Sequence, residues 1–182
     1  MAEVSKYKEN TFWTPKRIAR IAVMSAVSAV SAFVKIPTPT GDVGLDSVPQ
    51  YFAGMVKSWD WKESLFIGYL AKIVGSAYVG FPRGVPITLV SSLGSAGLGS
   101  VVLRIPRVLF GLIPGAIIAF IFNAFILILG FIPGLVYLMT GSLQTGWTNA
   151  LASVPGAAVA SALSIGIALA AYKILDKALK LD

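Results

Sequence analysis

A single lysine, Lys72, stands inside an otherwise apolar stretch, Tyr69-Leu-Ala-Lys-Ile-Val-Gly75. An unpaired cation at mid-membrane depth costs at least ~2.5 kcal/mol even on insertion-based scales. Lys72 is therefore expected to face the protein interior. There it pairs with Asp42 or Asp46, or meets an anionic or carbonyl group on a ligand. Both carboxylates belong to one loop, Thr38 to Gln50, where Gly41 and Gly44 permit unusual backbone angles. That loop reads in two ways: a solvated turn whose Asp46 or Ser47 caps the following helix, or a gate that offers acceptors, Gln50 among them, to a ligand.

A second group of residues can hold a flat, polar solute. Tyr51, Tyr78, Arg83, Gln144, Trp147 and Asn149 all fall near the outer side of the expected bundle. Tyrosine and tryptophan at that level commonly form an interfacial belt. Gln144-Thr-Gly-Trp-Thr-Asn149 also combines a ring with several hydrogen-bonding groups, which suits a planar heterocycle. Asn123, within an apolar run, is a weaker candidate, since a lone Asn often bonds a neighbouring helix.

Composition removes most other chemistry. The 182 residues include no Cys and no His. That leaves no disulfide, no thiolate or imidazole catalysis and no Cys/His metal centre. No Asp or Glu lies deep in an apolar run either. Neither an enzyme nor a cofactor or metal site is expected. Hydrophobic residues make up 56% and charged residues only 13%, against roughly 25% charged in a soluble domain. Long apolar runs separated by charge identify an integral membrane protein. The net charge of +7 does not point to nucleic acid, because the basic residues gather at helix ends.

The elements that must position these residues are six helices. They are expected at Ile18 to Ile36, Ser47 to Val56, Ser64 to Phe81, Val85 to Leu103, Val108 to Leu129 and Asn149 to Leu175. Pro37 and Pro39 are expected to stop the first. The second is shorter than the ~20 residues of a perpendicular crossing, so it must be tilted, re-entrant or completed by its loop. Phe131 to Thr148 either extends the fifth helix or folds as an outer lid. Both termini are expected in the cytoplasm, which places 12 of the 15 basic residues inside. The organisation is thus a cytoplasmic N-terminal segment (1–17), one all-α membrane domain of six transmembrane helices (18–177) and a cytoplasmic tail (178–182). The basic start and apolar run resemble a secretory signal, but the first helix is expected to be retained.

That first helix carries Ala19, Ala22, Ala26 and Ala29 at spacings of three, four and three, which puts all four on one stripe. Small residues let membrane helices approach closely. The stripe either packs on helices of the same chain or docks on a separate membrane partner. Ser25, Ser28 and Ala32 form a second small stripe on a neighbouring face.

In length, helix number and two local patterns, the chain resembles the substrate-binding membrane subunits, or S components, of energy-coupling factor transporters. The patterns are Ala-x-x-x-Ala at Ala22 and Ala26, and the loop Ile36-Pro…Gly-Asp-Val-Gly-Leu…Val-Pro49 just after it. A final helix entered through Asn149-Ala-Leu-Ala-Ser-Val-Pro155 also fits. The resemblance implies a subunit in a prokaryotic plasma membrane that captures a vitamin or related micronutrient at the outer face. It would dock through Ala22 and Ala26, with Ala29 as their extension, on a transmembrane coupling subunit that bears two ABC-type ATPases. Substrate contacts would come from Asp42, Asp46, Gln50, Tyr51, Lys72, Tyr78, Gln144, Trp147 and Asn149. The chain has no Gly-x-x-x-x-Gly-Lys-Ser/Thr phosphate loop, as expected of a subunit that leaves ATP to partners. Lys72 departs from the neutral or acidic residue of many relatives, no signature of a particular vitamin is present, and the lack of His argues against a metal-ion cargo. A stand-alone carrier or channel, and a membrane scaffold without transport, are the alternative readings.

Overall fold

A computed structural model describes residues 12–38, 41–78, 85, 89, 93–94 and 97–179. Side chains of residues 35–44 and of Tyr78 lie outside the description, as do Arg83, most of the expected fourth helix and the last three residues. The fold is all-α in class, with one short two-stranded ribbon among the described residues.

Helix α1 (Pro15–Ser31) opens with Pro15 in its first turn and Thr14 as N-cap, whose side chain accepts from the Arg17 N–H. It ends at Ser31 rather than at Ile36. Strands β1 (Lys35–Thr38) and β2 (Gly41–Gly44) follow as an antiparallel hairpin, with Pro37 opposite Asp42. Both strands of a two-stranded ribbon are edges, so Pro37 can sit there without breaking a ladder. The hairpin thus takes up backbone that was expected to extend the helix and its loop.

Helix α2 (Val48–Met55) is buried at every position from Pro49 to Met55. Its eight residues reach ~12 Å, far less than the ~30 Å hydrocarbon core of a bilayer. It is a central pin wrapped by other helices. Tyr51, Phe52, Met55 and Val56 pack against Leu103, Ala119, Ile165 and Tyr172. After a turn, α3 (Trp61–Tyr78) lies along α1.

Helix α4 (residues 98–110) has a π-helical first part, Leu98–Leu103, and continues as α-helix through Arg104–Phe110. Arg104 and Arg107 are therefore helical, whereas a loop was expected there. The turn falls at Gly111 instead, whose φ of +98° favours a residue without Cβ. Helix α5 (Leu112–Thr140) runs through a π segment, Phe122–Leu127, and through Pro133. The ambiguous stretch after Leu129 thus extends the fifth helix to Thr140. The sixth helix then begins earlier than expected: α6 spans Leu143–Leu179 and includes Pro155. At Gly146 an added Cβ would sit 2.6 Å from the Pro133 carbonyl oxygen, so α5 and α6 cross in direct backbone contact.

Two of these helices are long and apolar enough to cross a membrane, Leu112–Thr140 and Leu143–Ala178. Six were expected among all residues. Among the described ones, α1 has 17 residues, α2 has eight, and α3 carries Lys62, Glu63 and Lys72. Only 22% of the apolar window of each long helix is buried. Val108, Leu109, Phe110, Ile113, Ile117 and Leu138 are among the large apolar side chains left exposed, a surface that a monomer in water rarely presents.

Candidate functional site

The two ends of the bundle differ in chemistry. At the hairpin end, Asp46 precedes α2 and Lys72 lies on the neighbouring α3. Their Nζ and Oδ2 atoms are 3.2 Å apart, so the expected carboxylate partner of Lys72 is Asp46, although Lys72 is half-exposed rather than interior. The Asp42 side chain lies outside the described residues. Ser28 Oγ of α1 donates to the Asp46 carbonyl. One residue therefore joins three helices: its backbone to α1, its carboxylate to α3 and its chain to α2. Ser47 is the N-cap of α2 and makes no side-chain capping bond, so neither candidate cap holds α2 by its side chain. The pair keeps 40% exposure at Lys72 and 22% at Asp46, enough for an arriving solute to reach both charges.

One turn deeper, Gln50 and Tyr51 are almost completely enclosed. Asn123 Nδ2 donates to Tyr51 Oη and to Ser161 Oγ, both at 2.8 Å, and Ser161 Oγ donates to the Ala157 carbonyl. This chain of polar groups links α2, α5 and α6. Asn123 belongs to the π segment of α5, a deformation that recurs at functional sites. Gln50 Oε1, Ser25 Oγ and Ser64 Oγ are buried without a hydrogen-bond partner. Unsatisfied buried oxygens are costly in an apolar interior, and here they come from three adjacent helices. Tyr51 was expected as an open ring for stacking; burial makes it a core residue whose hydroxyl is tied to Asn123.

The outer polar cluster converges only in part: Gln144 and Trp147, three apart on α6, share a face, and Asn149 does not. Gln144, Trp147 and Asn149 are all exposed on the first turns of α6, but Trp147 and Asn149 are two positions apart on a helix and point to opposite sides. Asn149 lines a groove of ≈ 360 Å³ with Ile132, Met139 and Ser153. Trp147 is 46% exposed on another face. Only the lid, one of the two readings of this segment, would make them neighbours. Tyr78 closes α3, with its side chain outside the description. Ser161, Ser25 and Ser64 were missed as interior polar groups. The signal available for them was a small hydroxyl residue within an apolar helix run, as at Ser161 and Ser164.

On α1 the alanine stripe is uncovered. Ala19, Ala22 and Ala26 are exposed and Ala29 is half-buried, whereas Ile21, Ser25 and Ser28 turn inward. Val23, Val27 and Val30 flank the stripe, at 60%, 46% and 66% exposure. Of the two stripes seen in the sequence, the serines are the internal contact.

The opposite end is basic. Arg17 Nε and Arg20 Nη2 meet one oxygen of the fully buried Glu63, at 3.1 and 2.8 Å. The Arg20 guanidinium lies over the Trp59 ring, 5.1 Å from its centre. Arg104 donates to the carbonyls of Val56 and Lys57, and Arg107 Nη2 donates to Tyr172 Oη at 2.8 Å. These contacts gather the start of α1, the α2–α3 turn, α4 and the late turns of α6 at one end. Among the described residues no group of three or more carboxylates could hold a metal ion.

Neither protein-family models nor curated proteins match the chain.

Proposed function

We propose that this chain is the solute-binding subunit of an ATP-driven importer of the energy-coupling-factor type, set in the plasma membrane of a prokaryote. In this reading the chain passes six times between the two faces, α2 as a short enclosed segment completed by its flanking residues, with the basic end cytoplasmic and the hairpin end outside. A vitamin-like micronutrient enters at the hairpin end and engages Lys72 and Asp46. The chain carries out no reaction of its own. A transmembrane coupling subunit and two ABC-type ATPases supply the energy, and the bilayer surrounds the rest.

The observation that carries this reading is the uncovered alanine stripe. A membrane helix that exposes Ala19, Ala22 and Ala26 while its serines face inward keeps a smooth surface for another helix, because small residues allow backbones to approach. The pair of Lys72 and Asp46 at the hairpin end, both partly exposed, supports the reading by offering charge to a solute.

The test separates docking from capture. Ala22→Leu and Ala26→Leu are expected to abolish ATP-driven uptake in cells while the purified variants still retain solute, read by mass spectrometry of the denatured protein. Loss of retained solute together with uptake would make the stripe part of the fold. Uptake by liposomes containing this chain alone would make it a stand-alone carrier.

A further inference from the structure

We infer that the basic end holds a binding site for a phosphate-bearing anion, in the first place the headgroup of an anionic phospholipid. A cavity of ≈ 310 Å³ opens there between the α2–α3 turn, the α4–α5 turn and α6, lined by Lys57, Arg107, Val108, Gly111, Leu112 and Tyr172. Its volume is several times the ~30 Å³ that one water molecule occupies in the liquid.

The polar groups at its wall are of one kind. Lys57 brings an ammonium, Arg107 a guanidinium with its fork of N–H donors, and Tyr172 a hydroxyl already oriented by Arg107 Nη2 at 2.8 Å. Arg107 is 3% and Tyr172 4% exposed, so both are fixed before any ligand arrives. Gly115 packs on the Arg107 backbone so closely that a Cβ would lie 2.9 Å from its nitrogen, which locks α4 against α5. The start of α5, at Leu112, also faces the cavity, and a helix start favours negative charge. Lys57, Arg107 and Tyr172 each engage a further protein group as well. The lining holds two cations and no carboxylate; the acids nearest in sequence are Asp60, three residues after Lys57, and Asp176, four after Tyr172, which engages a further group as well.

Nε and Nη1 of Arg107 are enclosed and Nη2 donates to Tyr172, so Arg107 acts on a phosphate through its charge, and the Lys57 ammonium and the Tyr172 hydroxyl make the direct contacts. Val108 and Leu112 form the apolar part of the rim, and beyond it lie Leu109, Phe110 and Ile113, all exposed. A ligand that fits is charged at one end and apolar at the other. Basic cavities between helices at the cytoplasmic face receive anionic headgroups in this way. The inference rests on the membrane placement proposed above, but not on transport.

The experiment uses the full chain purified in neutral detergent. Phosphatidylglycerol, phosphatidylcholine or inorganic phosphate is added at constant ionic strength, and thermal midpoints and lipid adducts in native mass spectra are read. Phosphatidylglycerol should raise the midpoint and remain bound where phosphatidylcholine does not. Lys57→Ala, at an exposed position, should weaken that binding ~5-fold, the weight of one lysine at a membrane surface, whereas Lys173→Ala should leave it unchanged. Equal protection by inorganic phosphate, also lost in Lys57→Ala, would keep the site and make free phosphate its ligand. Equal behaviour of both lipids and no effect of phosphate would overturn the inference, as would Lys173→Ala acting as strongly as Lys57→Ala. A protein that enters liposomes but shows no lipid preference would sink the site and leave the membrane placement standing.

Discussion

Asp46 does more than any other described residue at the hairpin end, because its two polar ends serve different helices. Its carbonyl is held by Ser28 and its carboxylate by Lys72. A partly exposed pair of this kind contributes about 1 kcal/mol or less to stability. Lys72→Met is therefore expected to leave the thermal midpoint within a few degrees of the parent, while solute retention falls at least ~10-fold; a large drop in midpoint with retention intact would make the pair purely structural. The pairing was legible in the sequence to within two carboxylates, because burying a lone ammonium is so costly that a partner must be near. The Trp147–Asn149 cluster was not legible, since its convergence depended on a loop. Once Ser142 ends the turn and α6 begins at Leu143, helical geometry drives the two apart.

Among the elements, apolar runs located the helices, but their ends were set by features that the runs do not encode. Pro133 and Pro155 sit inside helices, as proline does in membrane segments where neighbouring groups take up the freed carbonyls. Arg104-Ile-Pro-Arg107 falls in the expected loop, yet the helix runs on through Pro106 from the π-helical part of α4, as α5 and α6 do through Pro133 and Pro155. The hairpin was hidden because glycine and proline in a short segment read as loop. No residue type announces the π segment at Phe122–Leu127. At the α5–α6 crossing the packing is tight enough to test: Gly146→Leu would push side-chain carbon into the Pro133 backbone, 2.6 Å from its oxygen. A loss of about 1–3 kcal/mol is expected, measured by unfolding in mixed micelles, and an unchanged stability would show that the two helices can separate freely at that point.

For the whole molecule the decisive property is sidedness. The basic contacts of Arg17, Arg20, Arg104 and Arg107 lie at one end, and the hairpin and the Thr140–Leu143 turn belong to the other. The chain contains no cysteine, so single thiols can be placed without background. Lys62→Cys should react with an impermeant maleimide only after cells are opened, and Ser142→Cys should react from outside; the reverse pattern, or equal labelling, would overturn the six-crossing arrangement with a cytoplasmic basic end.

Helix α6 has 37 residues with Pro155 inside it, which at ~1.5 Å each amounts to ~55 Å of helix. A perpendicular crossing consumes about 20 residues. The remainder must either lean steeply within the lipid or stand clear of it as a stiff mast. Tyr172 is still packed beside Arg107 in the core, so only the turns after it, with Lys177, can stand clear at the basic end, and in the membrane placement proposed above they carry that charge beyond the headgroups.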